Sequence, residues 1–252
     1  MAEISVVIIT RNEEANIKRC LDSVKGLAAE IIVVDSFSSD KTVEICESYG
    51  CRVFLREFTG YGDQKQFAVD QAVSDWILSL DADEQVSEEL REEILNRAQD
   101  AGFGITDSGY RIPFSLCFMG RILRYSGVGH EYHLRLFAKN KGGFTRVAVH
   151  EGIEIDGNTG VLKGRIVHFS YRDIAHHLEK INTYTSQAAE QNAGIGKKYA
   201  PCWVAWKFPV SFFTFYIIKR GILDGYPGFM WSFLAAFYAS LKIAKTIEIT
   251  KE

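Results

Sequence analysis

The sequence predicts an α/β fold with a mostly parallel central sheet and helices on both faces. Two observations predict it. Short apolar runs alternate with helical patterns, and polar clusters fall where the apolar runs end. Ile4-Ser5-Val6-Val7-Ile8-Ile9 is rich in β-branched residues, the pattern of a strand covered on both faces. Polar Thr10-Arg11-Asn12-Glu13-Glu14 follows, and then Ile17, Leu21 and Val24 at helical spacing. Glu30-Ile31-Ile32-Val33-Val34 repeats the strand and is cut by Asp35-Ser36-Phe37-Ser38-Ser39-Asp40, with Val43 and Cys46 on the next helix. Cys51-Arg52-Val53-Phe54 reads as a third strand and Lys65 to Val73 as a helix. Trp76-Ile77-Leu78-Ser79-Leu80 reads as a fourth strand running into Asp81. Gln85 to Gln99 is a charged helix whose apolar points are Leu90, Ile94 and Leu95.

Beyond that helix the rhythm changes. Tyr110 to Phe118, His133 to Phe137, Arg146 to His150 and Gly164 to Phe169 read as strands between glycine-rich turns, implying a mixed part of the sheet. Asp173 to Asn192 returns to helix, with Ile174, Leu178, Ile181, Tyr184 and Ala188 at steps of three or four.

The composition, 47% apolar and 24% charged, is that of a globular chain, and a formal net charge of -3 argues against wholesale capture of nucleic acid. The five cysteines are odd in number and carry no Cys-x-x-Cys spacing, so they read as buried reduced thiols of a cytosolic protein. Met1-Ala2-Glu3 is no basic leader and the apolar run after it is too short for a signal peptide, so export is not expected.

Ligands of parallel sheets bind beyond the carboxyl ends of the strands, which here carry three polar clusters: Thr10 to Glu14, Asp35 to Asp40 and Asp81 to Glu84. Asp81 and Asp83 flank one alanine just past a wholly apolar strand and can converge on one ion. Hard oxygen donors without sulfur suit Mg2+ or Mn2+, which would screen a diphosphate. The competing reading has the two aspartates cap a helix near Val86. Likewise Asp35 and its neighbouring hydroxyls can accept from a base or ribose, while Asp40 can cap the helix near Lys41. No Gly-x-Gly-x-x-Gly follows either early strand and no Gly-Lys-Ser/Thr is present, so neither a dinucleotide site nor a phosphate loop is expected. For the same reason a nucleotidyltransferase, which would carry a glycine- and basic-rich loop after the first strand, fits less well.

Ile4 to Asn12, Val33 to Asp40 and Leu80 to Glu84 resemble the blocks of the family 2 glycosyltransferases, which have the GT-A fold. His130 to Tyr171 and the Leu223-Asp224-Gly225 region resemble, more narrowly, lipopolysaccharide core enzymes of the β-1,4-glucosyltransferase type. The resemblance implies residue roles. Glu13, clustered with Thr10 and Asn12, would lie near the nucleobase. Asp35 would hold uridine or ribose, with Asp40 close by. Asp83 would be the direct metal ligand, and Asp81 would face the ribose or a metal-bound water. Glu151 would be the base that activates the acceptor hydroxyl. Many relatives carry that base in a Glu-Asp or Asp-Asp pair, whereas this chain has Val149-His150-Glu151. His150 would orient Glu151, touch the diphosphate or serve only as a core histidine. His168 is a late histidine suited to metal or phosphate, or else to packing beside Phe169 and Tyr171. His176 and His177 read as structural. Lys65, after Gln64, is placed near the donor diphosphate, and Arg135 meets an anionic acceptor, the pyrophosphate or an internal carboxylate. The donor implied is a nucleotide sugar, UDP-glucose, and the acceptor a lipid-linked saccharide.

From Tyr199 to Tyr238 aromatic residues accumulate among Lys207, Lys219 and Arg220. The uncharged runs Phe208 to Ile218 and Pro227 to Leu241 are shorter than the roughly 20 residues that span a bilayer. They predict two short aromatic amphipathic helices joined by Leu223 to Gly228. Such helices would rest on the cytoplasmic membrane's inner surface, pack on the catalytic domain or form a homo-oligomer. The expected plan is thus a catalytic domain over 1–198 and aromatic helices over 199–252. The former divides into a nucleotide half at 1–100 and an acceptor half at 101–198. An inactive scaffold of the same fold at the membrane is the competing functional reading.

Overall fold

The computed structural model describes residues 3–100, 107–129, 131–145 and 152–251. They form two compact units, the first within 1–114 and 131–168, the second within 115–130 and 169–252.

The first unit begins with β1 (Ile4–Thr10), α1 (Ile17–Val24), β2 (Glu30–Asp35), α2 (Thr42–Ser48), β3 (Arg52–Leu55), α3 (Tyr61–Gln71) and β4 (Trp76–Asp81). The four strands are parallel in the order β3-β2-β1-β4. Residues alternate between two cores, as the two-residue strand period requires. Val6, Ile8, Leu78 and Leu80 pack with Ile17 and Leu21 of α1 on one face, whereas Val7, Ile32, Val34 and Ile77 pack with Ala68 and Val69 of α3 on the other. That double covering explains the unbroken apolar runs of β1 and β4. β3 is the edge strand. There Arg52 is exposed and ties back to Glu30 of β2 at 2.6 Å.

The chain continues through β5 (Glu84–Val86), α4 (Glu88–Asp100), β6 (Gly109–Phe118), β7 (Arg121–Leu123), β8 (Tyr132–Ala138), β9 (Gly142–Phe144), β10 (Ile153–Ile155), β11 (Thr159–Val161) and β12 (Ile166–His168). The pairings of these strands are antiparallel except that of β11, which is parallel to β6. Residues 115–118 of β6 and all of β7 belong to the second unit. β8 runs against β4 with Leu136 opposite Leu78, which sets Arg135 alongside the C-terminal part of β4. β12 runs against β5 with His168 opposite Glu84. β9 pairs with β10, and the strand expected over 146–150 lies in their connection, outside the described residues.

In the second unit, α5 (Ile174–Gly194) and α7 (Gly225–Thr250) enclose a core of Phe118, Leu123, Ile181 and Leu234, and α6 (Cys202–Phe213) packs on α7 through Phe208 against Phe233 and Phe212 against Phe229. Asp173 caps α5, accepting from the His176 amide at 2.7 Å. α7 is not the short helix expected. It runs for 26 residues, because Pro227 lies in its first turn, where the missing amide costs no helical bond. The connection before α7 is held by Asp224, whose buried carboxylate accepts from the Arg124 and Tyr125 amides at 3.1 and 2.9 Å. Gly228 lets the chain close there, since a Cβ would lie 2.0 Å from the Gly221 carbonyl oxygen. No helix among the described residues is long and apolar enough to cross a membrane. No disulfide forms among the described residues; Cys20, Cys46 and Cys117 are buried as expected, whereas Cys51 is half-buried and Cys202 exposed.

His177 stacks on Tyr171 at 3.8 Å and on Trp231 at 5.6 Å between ring centroids, with Phe118 edge-on. Burial first, then the charge of Lys180, pushes its pKa down to about 4. Between about 6.5 and 4 the unfolded chain therefore binds a proton that the folded chain refuses. This contribution is complete above that window and is lost as the pH falls through it. Replacing His177 by Phe keeps the stack and removes the proton. The gap in melting temperature between pH 7.5 and pH 4.5 should narrow in thermal unfolding, and an unchanged gap would refute the assignment.

Candidate active site

The ends of β1, β2 and β4 are level: Thr10 lies opposite Asp35, and Ile9 opposite Asp81. The three polar clusters therefore share one edge of the first unit. Asp35 is fully buried, and its oxygens accept from the Ser38 amide at 2.7 Å and the Ser38 hydroxyl at 2.5 Å. Ser38 Oγ in turn accepts from the Asn12 amide at 2.8 Å, and Asn12 Oδ1 accepts from the Ser39 amide at 2.8 Å. Asn12 takes a left-handed backbone (φ 55°), which asparagine tolerates better than most residues. Asp40 accepts from the Thr42 and Glu14 amides at 3.0 and 3.1 Å, so it does cap the start of α2 while joining the two loops. The Glu13 amide donates to Thr42 Oγ1 at 2.9 Å, and the Glu13 carboxylate accepts from Asn16 at 2.8 Å. The Thr10 hydroxyl is buried without a hydrogen-bond partner among the described residues, leaving a polar group for a ligand. Phe37, exposed on the same edge with φ 57°, was given no role in the sequence reading.

At the end of β4 the two aspartates diverge. Asp81 receives Lys65 Nζ of α3 on Oδ1 at 2.9 Å and Arg135 Nη2 of β8 on Oδ2 at 3.1 Å. Arg135 also reaches Glu84 at 2.6 Å, and Glu84 accepts from the Asp81 amide at 2.9 Å. The Lys65, Glu84 and Arg135 side chains are 4%, 1% and 12% exposed and Asp81 is 31% exposed, so this charge network is buried on every side but the Asp81 one. Burial acts to raise Asp81, but the charges of Arg135 and Lys65 prevail and hold its carboxyl below the usual carboxylate range. Glu84 is pushed up to about 8 by burial and the Asp81 charge, against the pull of Arg135. Gln64, fully buried, donates to Ser36 Oγ at 3.1 Å and accepts from Arg56 at 2.8 Å, fixing the start of α3.

Asp83 turns the other way, with its Oδ2 3.1 Å from His168 Nε2. Burial would lower His168, but the Asp83 hydrogen bond and charge raise it above its ordinary value. Neither aspartate caps a helix. β5 intervenes, and Ser87 accepts from the Leu90 amide at 3.2 Å at the start of α4. One carboxylate oxygen and one imidazole nitrogen thus meet at Asp83 and His168. That pair suits a hard divalent ion that takes its remaining ligands from phosphate and water. No cluster of three or more metal-ligating side chains occurs among the described residues. Asp81 sits with the cations instead of with His168. His150 and Glu151 lie outside the described residues. The sequence reading gave Glu84 no role of its own. Only the β8 and β12 pairings, invisible in local pattern, show that it anchors Arg135.

The profile of the family described as glycosyl transferase family 2 matches residues 5–148, which include all three strand-end clusters. The chain belongs to that family. An uncharacterized glycosyltransferase of Rickettsia typhi is 32% identical over 99% of this chain and 88% of its own length. The lipopolysaccharide core biosynthesis glycosyltransferase LpsC of Rhizobium meliloti is 32% identical over 96% of this chain and 91% of its own. Staphylococcus aureus TarS, solved with UDP, superposes with a TM-score of 0.51 at 14% identity, covering 99% of this chain and 91% of that one. The architecture is accordingly the GT-A fold of the family 2 glycosyltransferases.

Replacing Arg135 by Met would leave two acids facing one lysine. Loss of one partner from a buried pair costs about 3–5 kcal/mol, so urea unfolding should show a loss of that order. A change below about 1 kcal/mol would mean that the network contributes little to the fold.

Proposed function

We propose that the protein is an inverting, divalent-metal-dependent hexosyltransferase that moves glucose from UDP-glucose to a lipid-linked saccharide such as a lipopolysaccharide inner core. The observation that carries this reading is the division of the acids at the β4 end. Asp81 is neutralised by Lys65 and Arg135, while Asp83 meets His168 beside it. In this reading Asp83 and His168 hold Mg2+ or Mn2+, which when bound would neutralise charge on the departing diphosphate. Asp81, fixed by its two cations, accepts from the ribose or a water on the ion. Asp35 accepts from uridine or ribose, beside Asp40, and Thr10, Asn12 and Glu13 form the wall next to the base.

Glu151 takes the proton of the acceptor hydroxyl as that oxygen bonds to the anomeric carbon. The bond from that carbon to the diphosphate breaks, and the nucleoside diphosphate leaves from the opposite face, so the centre inverts. His150 orients Glu151. The first unit carries this chemistry, in place of the whole of 1–198, and within 199–252 it is α6 that faces the membrane. Similarity to LpsC supports the lipopolysaccharide acceptor. Support for attachment to the inner surface of the cytoplasmic membrane comes from α6 and the turn after it. There Trp203, Trp206, Val210, Phe213 and Ile217 are all exposed at steps of three and four.

Asp83→Ala should lower metal affinity and donor turnover by more than the roughly 10–100-fold that loss of a supporting residue costs. Metal titration of donor hydrolysis reads this directly, and undiminished turnover would discard the metal role. Glu151→Gln should keep donor binding and lose about 10²–10⁴-fold in transfer to acceptor. Equal transfer rates would reassign the base. Replacing Trp203, Trp206 and Phe213 together by Ser should release the full chain from phosphatidylcholine vesicles in a flotation assay. Unchanged flotation would remove the membrane face from the proposal.

A further inference from the structure

The second unit holds a cavity of about 380 Å³ that the sugar-transfer chemistry does not use. This is within the size range of small-ligand sites. α5, α6 and α7 build it, and its chemistry is one-sided. Lys180, Lys207 and Lys242 line it, and no aspartate or glutamate does. None of these ammonium groups makes an ion pair among the described residues. Lys180 donates to the Ser170 carbonyl at 2.9 Å, and Lys242 sits 5.8 Å from the Tyr238 ring centre. Three cations around one hollow repel one another, and an anion placed among them relieves that repulsion.

Apart from Ser211, the rest of the wall is apolar or aromatic, with Ile181 and Leu234 beside Tyr171, His177 and Trp231. Two buried ring nitrogens in this wall, His177 Nδ1 and Trp231 Nε1, lack hydrogen-bond partners among the described residues. His177 itself is only 5% exposed. Buried polar atoms are seldom left unpaired, so an oxygen-bearing guest has groups to satisfy in addition to the lysines. A free inorganic anion would match the charge and leave the aromatic wall unused. An uncharged lipid would do the reverse.

We infer that this cavity binds an anionic phospholipid, the phosphate lying among Lys180, Lys207 and Lys242 and the apolar part along the aromatic wall. Lys207 stands next to Trp206 on α6, so the basic wall continues into the exposed apolar stripe. The inference rests on the membrane-facing reading of that stripe and adds lipid selectivity to it.

The test uses the full chain and two probes. One is a pair of vesicle sets, phosphatidylcholine alone and phosphatidylcholine with phosphatidylglycerol. The other is dihexanoylphosphatidylglycerol below its micellar concentration, followed by titration calorimetry. The chain should prefer the anionic vesicles and bind the short-chain lipid saturably. Replacing Lys180, Lys207 and Lys242 together by Gln should weaken both by at least tenfold, since each lysine near an anionic surface contributes appreciably. Binding to neutral vesicles should persist, which separates the cavity from the stripe. Ala239→Phe, which fills the cavity without altering charge, should also weaken binding of the short-chain lipid. Replacing the exposed Lys197, Lys198 and Lys251 by Gln should leave that binding unchanged. Equal loss in this last variant would overturn the cavity assignment in favour of diffuse surface charge. Full competition by inorganic phosphate would overturn it in favour of a free-anion site. If only the stripe variant changes vesicle binding, the membrane reading stands and the cavity assignment falls.

Discussion

The Asp81 carboxylate, held between Lys65 and Arg135, is the contact on which the site depends. It joins three elements of which only β4 and β8 share a backbone ladder: the end of β4, the first turns of α3 and the antiparallel β8. Through Arg135 it also fixes Glu84, and Glu84 lies opposite His168 in the β5–β12 ladder. The position of the histidine beside Asp83 is therefore set by the same network that neutralises Asp81. Burying such charges has a large desolvation cost, which is balanced only because each acid has a cation or a backbone amide to accept from.

The network also divides labour between two acids of one short motif. In an extended strand, residues two apart share a side, so Asp81 and Asp83 could have faced one ion equally. The chain bends after Asp81 and their partners separate them. A carboxylate between two fixed cations is already neutralised and suits the orientation of neutral hydroxyls. A carboxylate paired only with an imidazole retains affinity for a harder cation. The β2 loop shows the same economy. Asp35 and Asp40 satisfy local amides and hydroxyls and hold that edge rigid, and Asp40 does so while accepting from the first amide of α2.

Much of this was legible in the sequence, and the reason is periodicity. Unbroken β-branched runs revealed β1, β2 and β4, and in a parallel sheet the polar residues after such runs must share an edge. Asp81 with Asp83, and Asp35 with Asp40, could be singled out on that ground alone. Partners contributed by antiparallel strands could not be paired from local pattern. Arg135 was open to an acceptor, a pyrophosphate or a carboxylate, and only the β8 register decided for Asp81 and Glu84. The length of α7 was misjudged because Leu223 to Gly228 reads as a linker. Two glycines and a proline there are compatible with a helix start, and the buried Asp224 fixes where that start falls. His177 was legible as structural, but its aromatic stack was not.

The spacing of the network in the chain has a consequence for biosynthesis. Asp81, Asp83 and Glu84 leave the ribosome together, whereas Arg135 follows Asp81 by 54 residues and His168 follows Asp83 by 85. Until then Lys65 is the one cation of this network that the nascent chain carries. Long loop closures are slow, so the acidic turn settles late. A chain cut short before β8 holds the recognisable motif yet lacks the arginine that sets it. The arrangement of acids at the β4 end comes into being only when the far strands arrive.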